Sequence, residues 1–187
     1  MGIPTLIKTL TASNSASLAF VDGASDVTLD STYDEYMFVF TDIGPATDGA
    51  VFSFQVNATD DAGGGYDTAE ITTTAWWTYL LEDGSASAMA YIGAHDAADS
   101  TGYITISHDL GNASDESTAG IFHLFSPSST TYLKHFQSRF FASGSGDQKA
   151  QQNFTSGYIK DVTAIDEISF KMDTGNFDGV IQLFGIA

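Results

Sequence analysis

The chain has 187 residues, with 24 acids against 6 bases for a formal net charge of -18, 43% hydrophobic residues and no cysteine. Such a negative field repels the phosphates of nucleic acids and anionic membranes, and the absence of thiols excludes disulfides, thiolate metal sites and cysteine nucleophiles. The length suits one domain with one core, and 14 Phe and 8 Tyr favour pleated sheet over helix.

The opening "MGIPTLIKTL" lacks the charged flank and long apolar core of a secretory signal, and no segment is apolar for long enough to span a membrane. Both ends are expected to be docked, in the sheet or against a neighbour. Before residue 134 the only base is Lys8, whereas Lys134, Arg139, Lys149, Lys160 and Lys171 follow. The simpler reading is a soluble, self-repelling surface; the sharper one is that the less acidic last third meets a subunit or carrier, with the acidic first two-thirds facing solvent.

Residues 33–56 read "YDEYMFVFTDIGPATDGAVFSFQV". Tyr36, Phe38 and Phe40 alternate with Met37 and Val39, which predicts a central strand covered on both faces. In "VFSFQV", Phe52, Phe54 and Val56 are expected inward, Ser53 and Gln55 outward. "TDIGPATDG" between them predicts a loop of about nine residues with turn chemistry from Gly and Pro. Any binding there would go to a neighbouring subunit or to a cation held by Asp42 and Asp48.

Next, "ATDDAGGGYD" places Asp60, Asp61 and Asp67 around a glycine run, oxygen ligands of the kind calcium takes, without the EF-hand pattern. Solvated loop acids are the simpler reading, and no cofactor is expected. "TTAWWTYLLEDG" sets Trp76 and Trp77 on opposite faces of one strand, with Tyr79 on the Trp77 side. One indole is expected in the core. The other, beside Tyr66 or Tyr91, is a candidate for stacking on a sugar ring, against both indoles being buried in a core or subunit interface.

The remaining runs, from "YITISHDL" to "GVIQLFGI", alternate in the same way between Gly/Asp/Ser/Asn clusters. Ten or so short strands so punctuated predict one all-β domain, an antiparallel β-sandwich like a jelly roll. Pro4, Pro45 and Pro127 all fall at expected strand ends or turns. "FHLFSPSSTTYLKHF" predicts a hairpin centred near Ser129, with Phe122 opposite Phe136 and His123 opposite His135. The two histidines would then form a weak metal site or a pH-sensitive pair, or be ordinary strand histidines. Sequons occur at Asn57, Asn112 and Asn153. There is no nucleophile elbow, phosphate loop or dinucleotide fingerprint, and no carboxylate pair stands out for glycoside cleavage.

"LAFVDGASDVTLDSTYDEYMFVFTDIGPATDGAVFSFQV" and "GIFHLFSPSSTTYLKHFQSRF" resemble small virion structural proteins of marine tailed bacteriophages, cyanophage-like viruses among them. "TAIDEISFKMDTGNFDGVIQLFGIA" is similar to the close of phage decoration and fibre domains: Ile165, Ile168 and Phe170, a Gly175-Asn176 turn, then Phe184-Gly185-Ile186. The likeness covers residues 18–56 and 120–187, and brings no catalytic or ligand residues with it. It implies a non-enzymatic module on the head or tail exterior of a virion, a decoration or short tail-associated protein. Its partners would be itself, as a homotrimer, and other virion proteins. Phe136, Phe140, Phe141 and Phe184 are the candidate interface residues. The alternative is a tail-fibre or receptor-binding module that recognises host surface glycans through Trp76, Trp77 and Tyr79.

Overall fold

Alternation sorts the side chains of "YMFVF" as a pleated strand requires: Tyr36, Phe38 and Phe40 are buried, Met37 and Val39 half-buried. The computed structural model describes residues 2–59, 66, 69–146 and 149–187. The loop acids Asp60, Asp61 and Asp67 thus lie outside the described residues. The first six strands are β1 (Thr5–Ser15), β2 (Leu18–Val21), β3 (Glu35–Pro45), β4 (Ala50–Ala58), β5 (Ile71–Leu81) and β6 (Ser87–Tyr91). After a single 3-10 turn at Gly93–His95 come β7 (Ile104–Leu110), β8 (Thr118–Phe125), β9 (Lys134–Gly144), β10 (Lys149–Ile159), β11 (Ile165–Met172) and β12 (Phe177–Ile186).

The pairing explains the architecture. Strand β1 pairs antiparallel with β12, β2 with β11, β3 with β8 and β4 with β7. This is a long hairpin rolled up so that its strands fall alternately in two layers, the winding of a jelly roll. One layer runs β2-β11-β4-β7; the other runs β1-β12-β3-β8 and is widened to eight strands by β9, β10, β5 and β6. The expected all-β jelly-roll sandwich is what the chain forms. Both chain ends lie in the sheet, β1 against β12.

The core lies between the layers and is largely phenylalanine. Phe38, Phe40, Phe122, Phe136 and Phe140 of the wide layer meet Phe20, Phe52, Phe54 and Phe170 of the narrow one. Edge-on contacts recur, with Phe54 4.7 Å from Phe122 and Phe40 5.0 Å from Phe170 between ring centres. That geometry suits the ring quadrupoles. Phe136 and Phe140 are only 2% and 0% exposed. They are core residues and not interface anchors, because inward positions on β9 are the even-numbered ones.

Several local expectations need correction. "TDIGPATDG" is not a nine-residue loop: β3 runs on through a bulge between Phe40 and Ile43, leaving residues 46–49 as the connection. Asp42 takes up the bulge with φ 52°, and Gly179 on β12 lies against it at φ 134°, where a Cβ would come within 2.7 Å of the Asp42 carbonyl oxygen. Strands β3 and β4 belong to different layers, so the connection crosses the sandwich. Ser53 and Gln55 are buried, 5% and 0% exposed. The segment before β7 covers Gln55, whose Nε2 donates to the carbonyls of Thr101 and Gly102 at 2.8 and 2.9 Å. In the β8–β9 hairpin Phe122 pairs with Ser138 and His123 with Gln137, two residues from the expected register. A shift of two keeps every side chain on its face, so the Phe122 and Phe136 rings still stack, 5.4 Å apart.

The division of charge along the chain does not become a division in space, since β12 sits between β1 and β3 and β10 between β9 and β5. Where the wide layer outruns the narrow one, the inner face of β10 is polar: Lys149, Gln151, Asn153 and Thr155 are all buried. They reach the edge of β7. Thr155 Oγ1 donates to the Thr105 carbonyl at 3.1 Å and Asn153 Nδ2 to Ser107 Oγ at 3.2 Å. Gln151 donates to the His108 carbonyl, and Lys149 pairs with Asp109. Side chains thus satisfy an edge that would otherwise stand open, and the sandwich closes towards a barrel on that side.

Candidate functional site

The wide layer has an outer face that no described element covers, and the register aligns its side chains into rows. Gln182 stands beside Val39, then Ile121, Arg139, Phe154, Trp76 and Tyr91, one from each of seven consecutive strands. On one side lies the row Leu6, Phe184, Met37, His123, Gln137, Ser156 and Thr74. On the other lies Ala119, Phe141, Gln152, Thr78 and Met89. Across these three rows the only formal charge is Arg139, on a chain of net charge -18.

The centre of the face is a ridge. Trp76 and Phe154 stack with ring centres 3.9 Å apart and planes 4° from parallel. The Arg139 guanidinium continues the stack, 5.2 Å from the Phe154 ring and 4.5 Å from that of Phe141, and donates to Gln152 Oε1 at 3.0 Å. On β10 the outward side chains beyond the Gln152–Phe154 pair are small, Ala150 at one end and Ser156 at the other, so the face dips beside the ridge. One hollow of about 440 Å³ lies among Leu80, Phe141 and Ala150, another of about 470 Å³ among Phe125, His135, Ser156 and Tyr158. At the margin Glu35 pairs with His123, whose ring stacks near Phe125.

Phe141 is 45% exposed and Phe184 half-buried, both on this face, so the structure brings together two of the four candidate interface residues and sends Phe136 and Phe140 to the core. Trp76 and Trp77 do lie on opposite faces of β5. Trp76 is 37% exposed, with one ring face taken by Phe154. Trp77, half-buried rather than core, packs beside Tyr79 and His108, each 4.8 Å away between ring centres. The three proposed glycan contacts therefore do not share a surface.

No family model matches this sequence, and no curated protein or solved structure does either. What the face can do follows from its own composition. Interface cores are poor in Lys, Glu and Asp and rich in aromatics, Met and Arg, which describes these rows.

The other expected sites come apart. His123 meets Glu35 while His135 lies near Tyr158, so those two histidines make no pair. The histidines that do meet are His95 and His108, ring centres 4.5 Å apart beneath β5. Burial pushes the His95 imidazole down, and holds that of His108 at about 4, with His95 adding to the effect. His95 Nδ1 is a buried atom without a hydrogen-bond partner among the described residues. Only the folded arrangement reveals this pair, which brings the 3-10 turn against β7, since the two histidines are separated in sequence and carry no ligand spacing.

Asp48 and Asp42 also part company. Asp48 Oδ2 accepts from Ser145 Oγ at 3.0 Å, whereas Asp42 borders a hollow with Asp115, Glu116 and Asp178. Two of those carboxylates serve the backbone: Glu116 accepts from the Ala113 N–H and Asp178 from that of Asn14. Among the described residues no three His, Asp or Glu groups converge as a metal site would need. Of the sequon asparagines, Asn57 and Asn153 are buried and only Asn112 is exposed.

Proposed function

We propose that the chain is a non-enzymatic structural module of a tailed-phage virion, on the head or tail exterior, that assembles with copies of itself through the outer face of its wide sheet. The observation that carries this is the near-absence of charge from a broad aromatic face on a strongly anionic chain. Identical copies of net charge -18 repel one another wherever their acids meet. The rows through Ile121, Met37 and Phe141 are where that repulsion is least and where burying apolar area gains most. Arg139, within cation–π distance of two aromatic rings, has the character of an interface hot spot. The resemblance of residues 18–56 and 120–187 to phage virion proteins supplies the setting, and a trimer is the expected order.

The alternative is a module that binds host glycans. Trp76 and the two hollows favour it; the ring stack opposes it, since Trp76 presents one face to Phe154, and a sugar needs an open ring face. Solution mass decides between them. An oligomer that falls to smaller species in Phe141→Glu and Ile121→Glu, with the fold intact by circular dichroism, supports assembly. A monomer whose tryptophan emission responds to glycans, lost in Trp76→Ala, overturns it in favour of the sugar.

A further inference from the structure

Among the described residues the sandwich has four sheet edges, and three of them are protected against pairing with another strand. Strand β1 carries Lys8 and two bulges. Strand β2 is four residues long. The β7 edge is occupied by the β10 side chains described above. The fourth is β6, "SAMAY", with no charge, no proline and no bulge. Its two large side chains, Met89 and Tyr91, are 76% and 65% exposed.

The free side of β6 is a row of backbone donors and acceptors. In an antiparallel pair alternate residues turn both N–H and C=O towards the partner. The Leu81 N–H donates to the Ala86 carbonyl, and the Ile92 N–H to that of Ala75, so even-numbered positions face β5. Ser87, Met89 and Tyr91 then direct their N–H and C=O groups outward. An antiparallel two-fold centred on Met89 maps this set onto itself: Met89 pairs with its counterpart and Ser87 with Tyr91. On the opposite side of the sheet Ala88 falls opposite Ala90, two small side chains that leave room for the join.

We propose that β6 is a self-pairing edge, on which a second copy of this chain adds its own β6 across a two-fold axis and fuses two eight-stranded sheets into one. A row of unpaired backbone groups is matched by another strand, and this strand is its own complement in register, side-chain size and lack of charge. The joint is made by the backbone groups of the edge, so it stands whether or not the outer face assembles.

The test is a pair of substitutions that block the edge and spare the fold. Met89→Pro removes an outward N–H without touching the β5 ladder, and Ala88→Lys places a charge at the join on the side of the sheet away from the outer face. Each is expected to halve the solution mass of the protein, whatever order the face sets, while Phe141→Glu leaves the two-fold pair in place. Because the chain has no cysteine, Met89→Cys provides a separate readout: mild oxidation yields a covalent dimer, the Cα spacing of a hydrogen-bonded pair being about 5.5 Å. Equal masses for wild type and both blocking variants, or a Met89→Cys chain that stays a free thiol, overturns the proposal.

Discussion

Trp76 and Phe154, cross-strand neighbours on β5 and β10, stack face to face at 3.9 Å with their planes 4° from parallel. The pair stands on the solvent side of the sheet, so its worth is the ring contact itself more than burial. A double-mutant cycle with Trp76→Ala and Phe154→Ala is expected to give a coupling of about 0.5–1.5 kcal/mol in urea unfolding. Additive single losses would mean that each ring acts through the sheet and not through the other.

Phe140 and Phe141 are consecutive and do opposite jobs. Phe140 packs on Phe40 and Phe52, 5.0 and 6.1 Å away between ring centres, at 0% exposure. Phe140→Ala should cost about 3–5 kcal/mol in unfolding free energy. Phe141→Ala should stay within about 0.5 kcal/mol for the isolated chain, yet weaken assembly. If Phe141→Ala proved as destabilising as Phe140→Ala, the assignment of core and outer face on β9 would be wrong.

That contrast marks where sequence reasoning stops. Period-two alternation identifies which side chains share a face, and it does so correctly for Tyr36, Phe38 and Phe40 and for Phe52, Phe54 and Val56. It cannot tell a register from one shifted by two, which is why it sets Phe122 opposite Phe136 where the structure has Ser138. Nor does it say which faces are covered: Gln55 looks solvent-facing until the Thr101–Gly102 backbone is laid over it. The outer face is the extreme case. Val39, Ile121, Arg139, Phe154, Trp76 and Tyr91 come from six strands and form a row only once the register is known. Continuation of β3 past Asp42 was hidden for a related reason, since "DIGPATDG" has turn chemistry and the bulge depends on Gly179, far away in sequence.

Thr155 tests how β7 is held. Its hydroxyl donates to the Thr105 carbonyl and its side chain is buried. Thr155→Val keeps the shape and leaves that carbonyl without this donor. A loss of about 1–3 kcal/mol follows, with faster amide exchange along β7 than along β4. Uniform exchange across both strands would show that β7 is held by its ladder to β4 alone.

The buried histidines set the expected acid response. His108 is held at about 4 in the fold, chiefly by burial, against an ordinary value of 6.5, and His95 is shifted in the same direction. The groups around them are Asp96 and Asp109, which favour protonation, and Lys149, which opposes it. Between pH 6.5 and about 4 the unfolded chain binds protons that the folded chain refuses, so stability falls as pH drops through that window and levels off below it with respect to this residue. Carboxylates titrate in the same range, which makes the informative quantity a difference. His108→Gln removes the titrating ring and leaves the backbone carbonyl that accepts from Gln151. Its unfolding free energy should decline less steeply from pH 6.5 to 4 than that of wild type, the two curves approaching each other as the solution is acidified. Parallel curves would place the acid sensitivity in the carboxylates and leave His108 no share in it.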